Sequence, residues 1–174
     1  MPPYPNAESF RHLLYLDFDG VLHPEDVLWH PKRGVYLGPK TKGGHVLFEH
    51  APLLVDVLAP FPNVHIVLST SWVRHRGFSF AMKRLPELLQ RRVVGATYHS
   101  EMHDENWLAL PRWQQILGDA GRRRPARWVS LEDQFEGWPA EHLDKLVQTD
   151  ELLGLLRQGA VQGLRQRLDE WQSS

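Results

Sequence analysis

No cysteine occurs among the 174 residues, which rules out disulfides, thiol nucleophiles and thiolate metal sites but does not identify the redox compartment. No apolar run approaches the length of a membrane span, and the opening MPPYPNAESFRH has no apolar signal core. The expectation is a cytoplasmic protein with no membrane partner. An excess of one charge is also missing: the net charge is −1 and the sequence pI about 6.8, so no global field draws nucleic acid or an anionic membrane, and such a partner must use a local patch. Low-complexity segments are absent, and nothing in the sequence requires an obligate oligomer. The length suits one domain over residues 1–174, with a substantial core.

What is present is an alternation of apolar runs and helical patterns. Strands are expected at 12–18 (HLLYLDF), 64–70, 91–98, 126–133 and, more weakly, 144–150. Between them helical spacing covers 48–61, then 72–90 with breaks near Gly77 and Pro86, then 111–120 with Gly121 after it; a last amphipathic helix covers 160–171. Strands and helices in this order imply a three-layer α/β/α sandwich around a mainly parallel sheet, whose ligands sit beyond the carboxyl ends of the strands.

The first strand ends there in LDFDG. A period of two puts Asp17 and Asp19 on one side of the chain and Phe18 on the other. Two close carboxylates repel, so they share a proton or bind a hard cation. Gly20 then permits a sharp turn or a close approach of backbone to ligand. A solvated strand end would explain two acids alone; the apolar strand before them and the glycine after them favour a site.

LDFDGVL resembles the first signature of the haloacid dehalogenase-like (HAD) hydrolases, D-x-D-G-x-[TV]-L. The later signatures of that superfamily have counterparts in order. HIVLSTSW resembles the second, a strand ending in threonine or serine, with Thr70 the choice by analogy, Ser69 a live alternative and Ser71 beside it at the substrate. The third, a lysine before the fourth strand, is replaced by Arg112 in LPRWQQI, with Lys83, Arg84, Arg74 and Arg76 as competitors. The fourth, an acidic pair, is matched by Glu132 and Asp133 where a double aspartate is common. The resemblance implies a Rossmannoid HAD-like fold and a Mg2+-dependent phosphatase. Asp17 is then the nucleophile that forms an aspartyl-phosphate, and Asp19 the general acid and base. Thr70 and Arg112 hold the phosphate with Gly20 and Ser71, and the metal is bound by Asp17, Asp19 through its backbone carbonyl, and Glu132 or Asp133.

The stretch 21–47 is long enough for a flap hairpin and too short for a folded cap. The chain thus resembles small capless (C0-type) members, and STSW with the compact length resembles the HAD domains of RNA-repair proteins. An open site implies a phosphorylated substrate that can be large, a nucleic acid end or a protein. The alternative is a nucleic-acid end-processing or phosphate-binding module with weak or lost turnover. The flap mixes Trp29, His30, Lys32, Arg33, Tyr36, Lys40 and Lys42, residues suited to a nucleotide or to a solvated hairpin. GPKTKGG (38–44) reads as the hairpin tip, and GRRRPAR (121–127) as a charged turn open to nucleic acid. YHSEMHD (98–104) offers His99, Glu101, His103 and Asp104 as weak zinc candidates or a polar loop. His23 reads equally as a surface histidine or a neighbour of the metal, and Trp72, Trp113 and Trp128 read as core.

Overall fold

Leu13, Leu14, Tyr15 and Leu16 are all inaccessible to solvent, as a strand covered on both faces requires. This strand, β1 (His12–Leu16), is the centre of the sheet in a computed structural model that describes residues 12–100 and 104–173. It pairs in parallel with β4 (Val64–Leu68) on one side and β6 (Arg127–Glu132) on the other; β5 (Val93–Ala96) and β7 (Leu146–Gln148) extend the two sides, giving the order β5-β4-β1-β6-β7. The chain runs outward from β1 through β4 to β5, then returns to β6 on the opposite side. The change of direction therefore falls between β1 and β6, the place where such sheets open a crevice at their carboxyl ends.

Alternation along the strands divides the core in two. Leu14, Leu16, Ile66, Leu68, Val129 and Leu131 face α1 (Ala51–Leu58) and α7 (Ala160–Gln172). Leu13, Tyr15 and Val67 face the other way, onto Ile116 and Ala120 of α6 (Arg112–Arg123). Each fully buried leucine contributes about 1.5–3 kcal/mol. The result is the three-layer α/β arrangement expected.

Between β4 and β5 the helical stretch breaks where glycine and proline stand, into α2 (Ser71–Arg76), α3 (Phe78–Met82) and α4 (Glu87–Gln90), with Gly77 at φ +93° and Pro86 before α4. A short helix, α5 (Asp104–Leu108), precedes α6. After Gly20 an antiparallel hairpin forms from β2 (Val27–His30) and β3 (Gly34–Leu37).

Several expectations need correction. The first strand stops at Leu16, so Asp17 is the first residue beyond the sheet. The hairpin turns at 31–33 ahead of Gly34 at φ +73°, and GPKTKGG lies past β3 rather than at the tip. Gly121 lies inside α6, which continues to Arg123 and is closed by Arg124 in the left-handed region at φ 50°. The segment expected as a strand from 144 is a 3-10 turn through Ala140–Lys145 before the three-residue β7. GRRRPAR is partly structural: Arg123 Nε donates to the buried Asp119 Oδ2 at 2.7 Å, and Arg122 pairs with Asp119 Oδ1 at 3.4 Å. Glu101 and His103 lie outside the described residues, as does the side chain of Asp104.

Candidate active site

The carboxyl ends of β1, β4 and β6 bring the candidates together. Register pairs Leu16 with Leu68 and with Leu131, so the next residues, Asp17, Ser69 and Glu132, lie side by side. Asp17 is 3% exposed and its Oδ1 accepts from Phe18 N at 2.7 Å. Carboxylate oxygens of Asp17, Glu132 and Asp133 lie within 4.8 Å of one another.

One cation enters this cluster from the far side of the sheet. Pro111 precedes α6 with extended backbone, and Arg112 opens the helix pointing back at the strand ends. Its Nη2 donates to Asp17 Oδ2 at 3.3 Å, its Nη1 to Ser69 O at 2.9 Å, and its Nε lies 3.2 Å from Glu132 Oε2. The planar fork thus touches two acids and a carbonyl, a set that a lysine ammonium on a flexible stem could not span. Of the competing cations, Arg76 and Arg84 stack on aromatic rings instead.

Charge in the site does not balance: three acids face one guanidinium, with Asp19 nearby. Burial, offset in part by Arg112 and reinforced by Asp19 and Asp133, raises the Asp17 carboxyl from 3.8 to about 6. Burial first, then Asp17, raises Glu132 well above the usual glutamate range, and burial also raises Asp133. Burial alone would depress Arg112, but Asp17, Glu132, Asp133 and Asp19 outweigh it and the guanidinium is held more firmly charged. Glu132 Oε2 is buried and the contact with Arg112 lacks hydrogen-bond alignment, so a lone pair stays unused. Hard oxygen donors, a negative surplus and an unused buried lone pair fit a divalent cation such as Mg2+.

A prediction follows from the sign of these shifts. An acid whose pKa is raised on folding adds stability below its unfolded value, here near 3.8 for Asp17, and loses it as pH rises through about 6. A cation that takes the proton's place restores it. The rise in Tm on adding Mg2+ is expected to be several degrees larger near pH 7 than near pH 4, measured by thermal unfolding with and without chelator. Equal shifts at both pH values would contradict the assignment.

Asp19 is separated from this cluster. Its Oδ1 accepts from two donors, Trp72 Nε1 at 2.8 Å and His23 Nε2 at 2.9 Å. His23 has no solvent exposure, and its Nδ1 accepts from Phe48 N at 3.1 Å. That bond assigns the tautomer: Nδ1 carries the lone pair, so Nε2 carries the hydrogen and donates to Asp19. Phe48 itself sits at φ 61°, a conformation disfavoured for a bulky residue, and its ring packs edge-on against Phe18, His23 and Trp72.

Gly20 is at φ +70°, and a Cβ there would stand 2.3 Å from Asp133 Oδ2. Glycine is needed for both reasons, the backbone conformation and the close approach of the acid. Thr149 Oγ1 donates to Gly20 O at 2.6 Å and fixes the turn. Thr70 caps α2, its Oγ1 accepting from Trp72 N at 3.3 Å, which leaves its own hydrogen available. Ser71 is the first residue of α2, and Ser69 Oγ is buried without a hydrogen-bond partner among the described residues. His23 and Trp72 are therefore the residues that sequence reasoning undervalues. Two buried residues, Val21 and Leu22, ahead of His23 in the chain are the signal that marks it as interior.

Beside Arg112 and Asp133 lies a cleft of about 670 Å3, also lined by Glu25, Thr149, Asp150 and Glu151. Among the described residues no helix is long and apolar enough to cross a membrane. A family model described as the HAD domain in Swiss Army Knife RNA repair proteins matches residues 13–160. No curated protein and no solved structure matches the chain.

Proposed function

We propose that the chain, because it belongs to the family of HAD domains in Swiss Army Knife RNA repair proteins, acts as a single phosphohydrolase domain that removes a phosphomonoester from a nucleic acid end through an aspartyl-phosphate on Asp17. The observation that carries this reading is the convergence of Asp17, Glu132 and Asp133 within 4.8 Å around the guanidinium of Arg112.

In the first step a carboxylate oxygen of Asp17 attacks phosphorus while the bond to the leaving oxygen breaks, and Asp19 gives that oxygen a proton. In the second, Asp19 takes a proton from water, the water oxygen attacks phosphorus, and the bond to Asp17 breaks to release inorganic phosphate. Because His23 and Trp72 both donate to Oδ1 of Asp19, the proton is carried on Oδ2. Arg112 balances charge as it moves onto the phosphoryl oxygens. Thr70, with Ser71 beside it, and Ser69 with its unused hydroxyl supply hydrogen bonds to the same oxygens, whereas the N–H of Gly20 is already given to His23 O at 2.9 Å, so the expected phosphate contact from Gly20 is not available. Asp17, Glu132 and Asp133, with the Asp19 carbonyl as a further donor, would hold a divalent cation, which would supply Lewis acidity and neutralise the acids against the incoming phosphate.

The direct test is release of phosphate from a generic aryl phosphate and from a 5′- or 3′-phosphorylated oligonucleotide, with Mg2+ and with chelator. Metal-dependent release is expected. Absence of release from every phosphomonoester in the presence of Mg2+ would leave only a phosphate-binding module.

Leaving-group chemistry separates the role of His23 from mere packing. A dinitrophenyl leaving group departs without a proton, whereas an alkyl alkoxide needs one. His23→Asn and Trp72→Phe are expected to lower kcat/KM, which reports formation of the aspartyl-phosphate, roughly 10- to 100-fold for an alkyl phosphate and by less than about threefold for dinitrophenyl phosphate. Equal losses on both substrates, with unchanged Tm, would contradict the assignment of Asp19 as the acid held by these donors.

A further inference from the structure

Charge is distributed unevenly around the crevice. Residues 27–48, the flap from β2 onward with Glu25 and Asp26 just ahead of it, and 71–86, which hold α2, α3 and the turn after them, together carry eight of the chain's 20 Lys and Arg and none of its 21 Asp and Glu. The opposite rim, at the cleft beyond β7, is acidic, with Glu25, Asp133, Glu136, Asp150 and Glu151. A chain with a net charge of −1 therefore presents one cationic wall and one anionic wall to whatever enters the site.

The cationic wall also has an aromatic framework connected to Asp19. Trp72, which donates to Asp19 at 2.8 Å, stacks on Phe80 with ring centroids 6.3 Å apart and planes 30° from parallel. Arg76 follows Trp72 by one helical turn, which puts both on one face of α2. Its guanidinium lies 4.3 Å from the Trp29 ring of the flap and 5.6 Å from Phe80, and Arg84 covers Phe80 at 4.4 Å. Trp29 is 51% exposed, and neither Arg76 nor Arg84 makes an ion pair among the described residues. A guanidinium stacked on rings keeps its edge N–H donors for a phosphate, while an exposed indole offers a face to a base.

We propose that Trp29, Arg76 and Arg84, backed by Phe80 and the buried Trp72, are a binding platform for a single-stranded polynucleotide, which they deliver end first to Asp17. Two arginine edges beside the exposed Trp29 ring match a strand in which phosphates alternate with bases. An acidic polypeptide has the charge but lacks the faces to stack. The opposite acidic rim repels the strand, which confines it to the flap side. This extends the reading of the site as a phosphohydrolase of nucleic acid ends, and it is testable apart from turnover.

The experiment measures binding of a fluorescent single-stranded RNA with hydroxyl ends, which has no phosphomonoester to release, to the full chain by anisotropy over a salt series. Aryl phosphate hydrolysis is followed in parallel. The R76A/R84A double variant is expected to weaken binding at least about tenfold and to lower the slope of log K against log salt by about 1.4, from roughly 0.7 for each phosphate that is no longer neutralised. Trp29→Ala is expected to weaken binding about 5- to 100-fold through loss of base stacking. Both variants are expected to hydrolyse aryl phosphate at the parental rate. RNA binding unchanged in both variants, or an acidic peptide that binds the parent more tightly than RNA does, would overturn the proposal. Failure of every protein to hydrolyse aryl phosphate, with RNA binding and its loss as expected, would count against the catalytic reading and leave the platform standing.

Discussion

Asp17→Asn is expected to reduce phosphate release by at least about 10^4-fold, the scale reached when a nucleophile is removed from a catalytic unit. The substitution keeps the shape of the side chain and its ability to accept from Phe18 N, a bond of 2.7 Å in the parent. It removes the charge that attacks phosphorus and one of the three carboxylates that converge within 4.8 Å. Stability moves the other way. Asp17 is 3% exposed and its carboxyl is raised to about 6 mainly by burial, so the neutral amide relieves a strained charge. At neutral pH without metal, Tm is expected to rise or stay level, and the increase in Tm with Mg2+ to shrink. A variant that retained turnover would remove Asp17 from the chemistry.

Arg112→Ala is the second large effect, and here stability and activity fall together. The guanidinium contacts Asp17 at 3.3 Å and Glu132 at 3.2 Å and donates to Ser69 O at 2.9 Å. Its removal leaves buried acids without a cation, which costs about 3–5 kcal/mol, a fall of roughly 10 °C in Tm for a domain of this size. Turnover is expected to drop about 10^2- to 10^3-fold through lost charge stabilisation. Arg112→Lys separates charge from geometry. An ammonium supplies the charge but cannot reach Asp17, Glu132 and the Ser69 carbonyl at once, so it is expected to restore part of the stability and less of the rate. Unfolding curves with and without Mg2+, alongside steady-state rates, measure both. A loss under about 0.5 kcal/mol, the scale of surface substitutions, would mean that Arg112 is not the balancing cation.

These two residues also show how far the amino-acid sequence carries. Asp17 and Asp19 announce a site because period-two alternation, a buried strand and Gly20 are all local signals. The breaks at Gly77 and Pro86 are equally local. The role of Arg112 is not: Ser69, Arg112 and Glu132 meet only because β4, α6 and β6 come together at the carboxyl end of the sheet. Trp72 reads as core since its ring is buried, 4% exposed, yet its indole nitrogen points at Asp19. His23 is ambiguous in sequence because its partner for Nδ1, Phe48 N, lies 25 residues away. The hairpin tip is misplaced for a different reason: GPKTKGG is the stronger glycine signal, but Gly34 closes the turn in the left-handed region. The cationic wall is visible in sequence as a mixture on the flap alone; its second half in α2 and α3 joins it only through the contact of Arg76 with Trp29.

The central claim is that phosphate passes through a covalent bond to Asp17. Acid quenching of the protein early in turnover of a radiolabelled phosphomonoester, with Mg2+ present, tests it most directly. Asp19→Asn is the protein of choice beside the parent, because loss of the general base slows breakdown of the intermediate. The expected result is label that is stable in acid, labile in base, mapped to the peptide carrying Asp17, increased by Asp19→Asn and absent from Asp17→Asn. Phosphate release that proceeds at full rate with no covalent label in either protein, or label on a different residue, would contradict it.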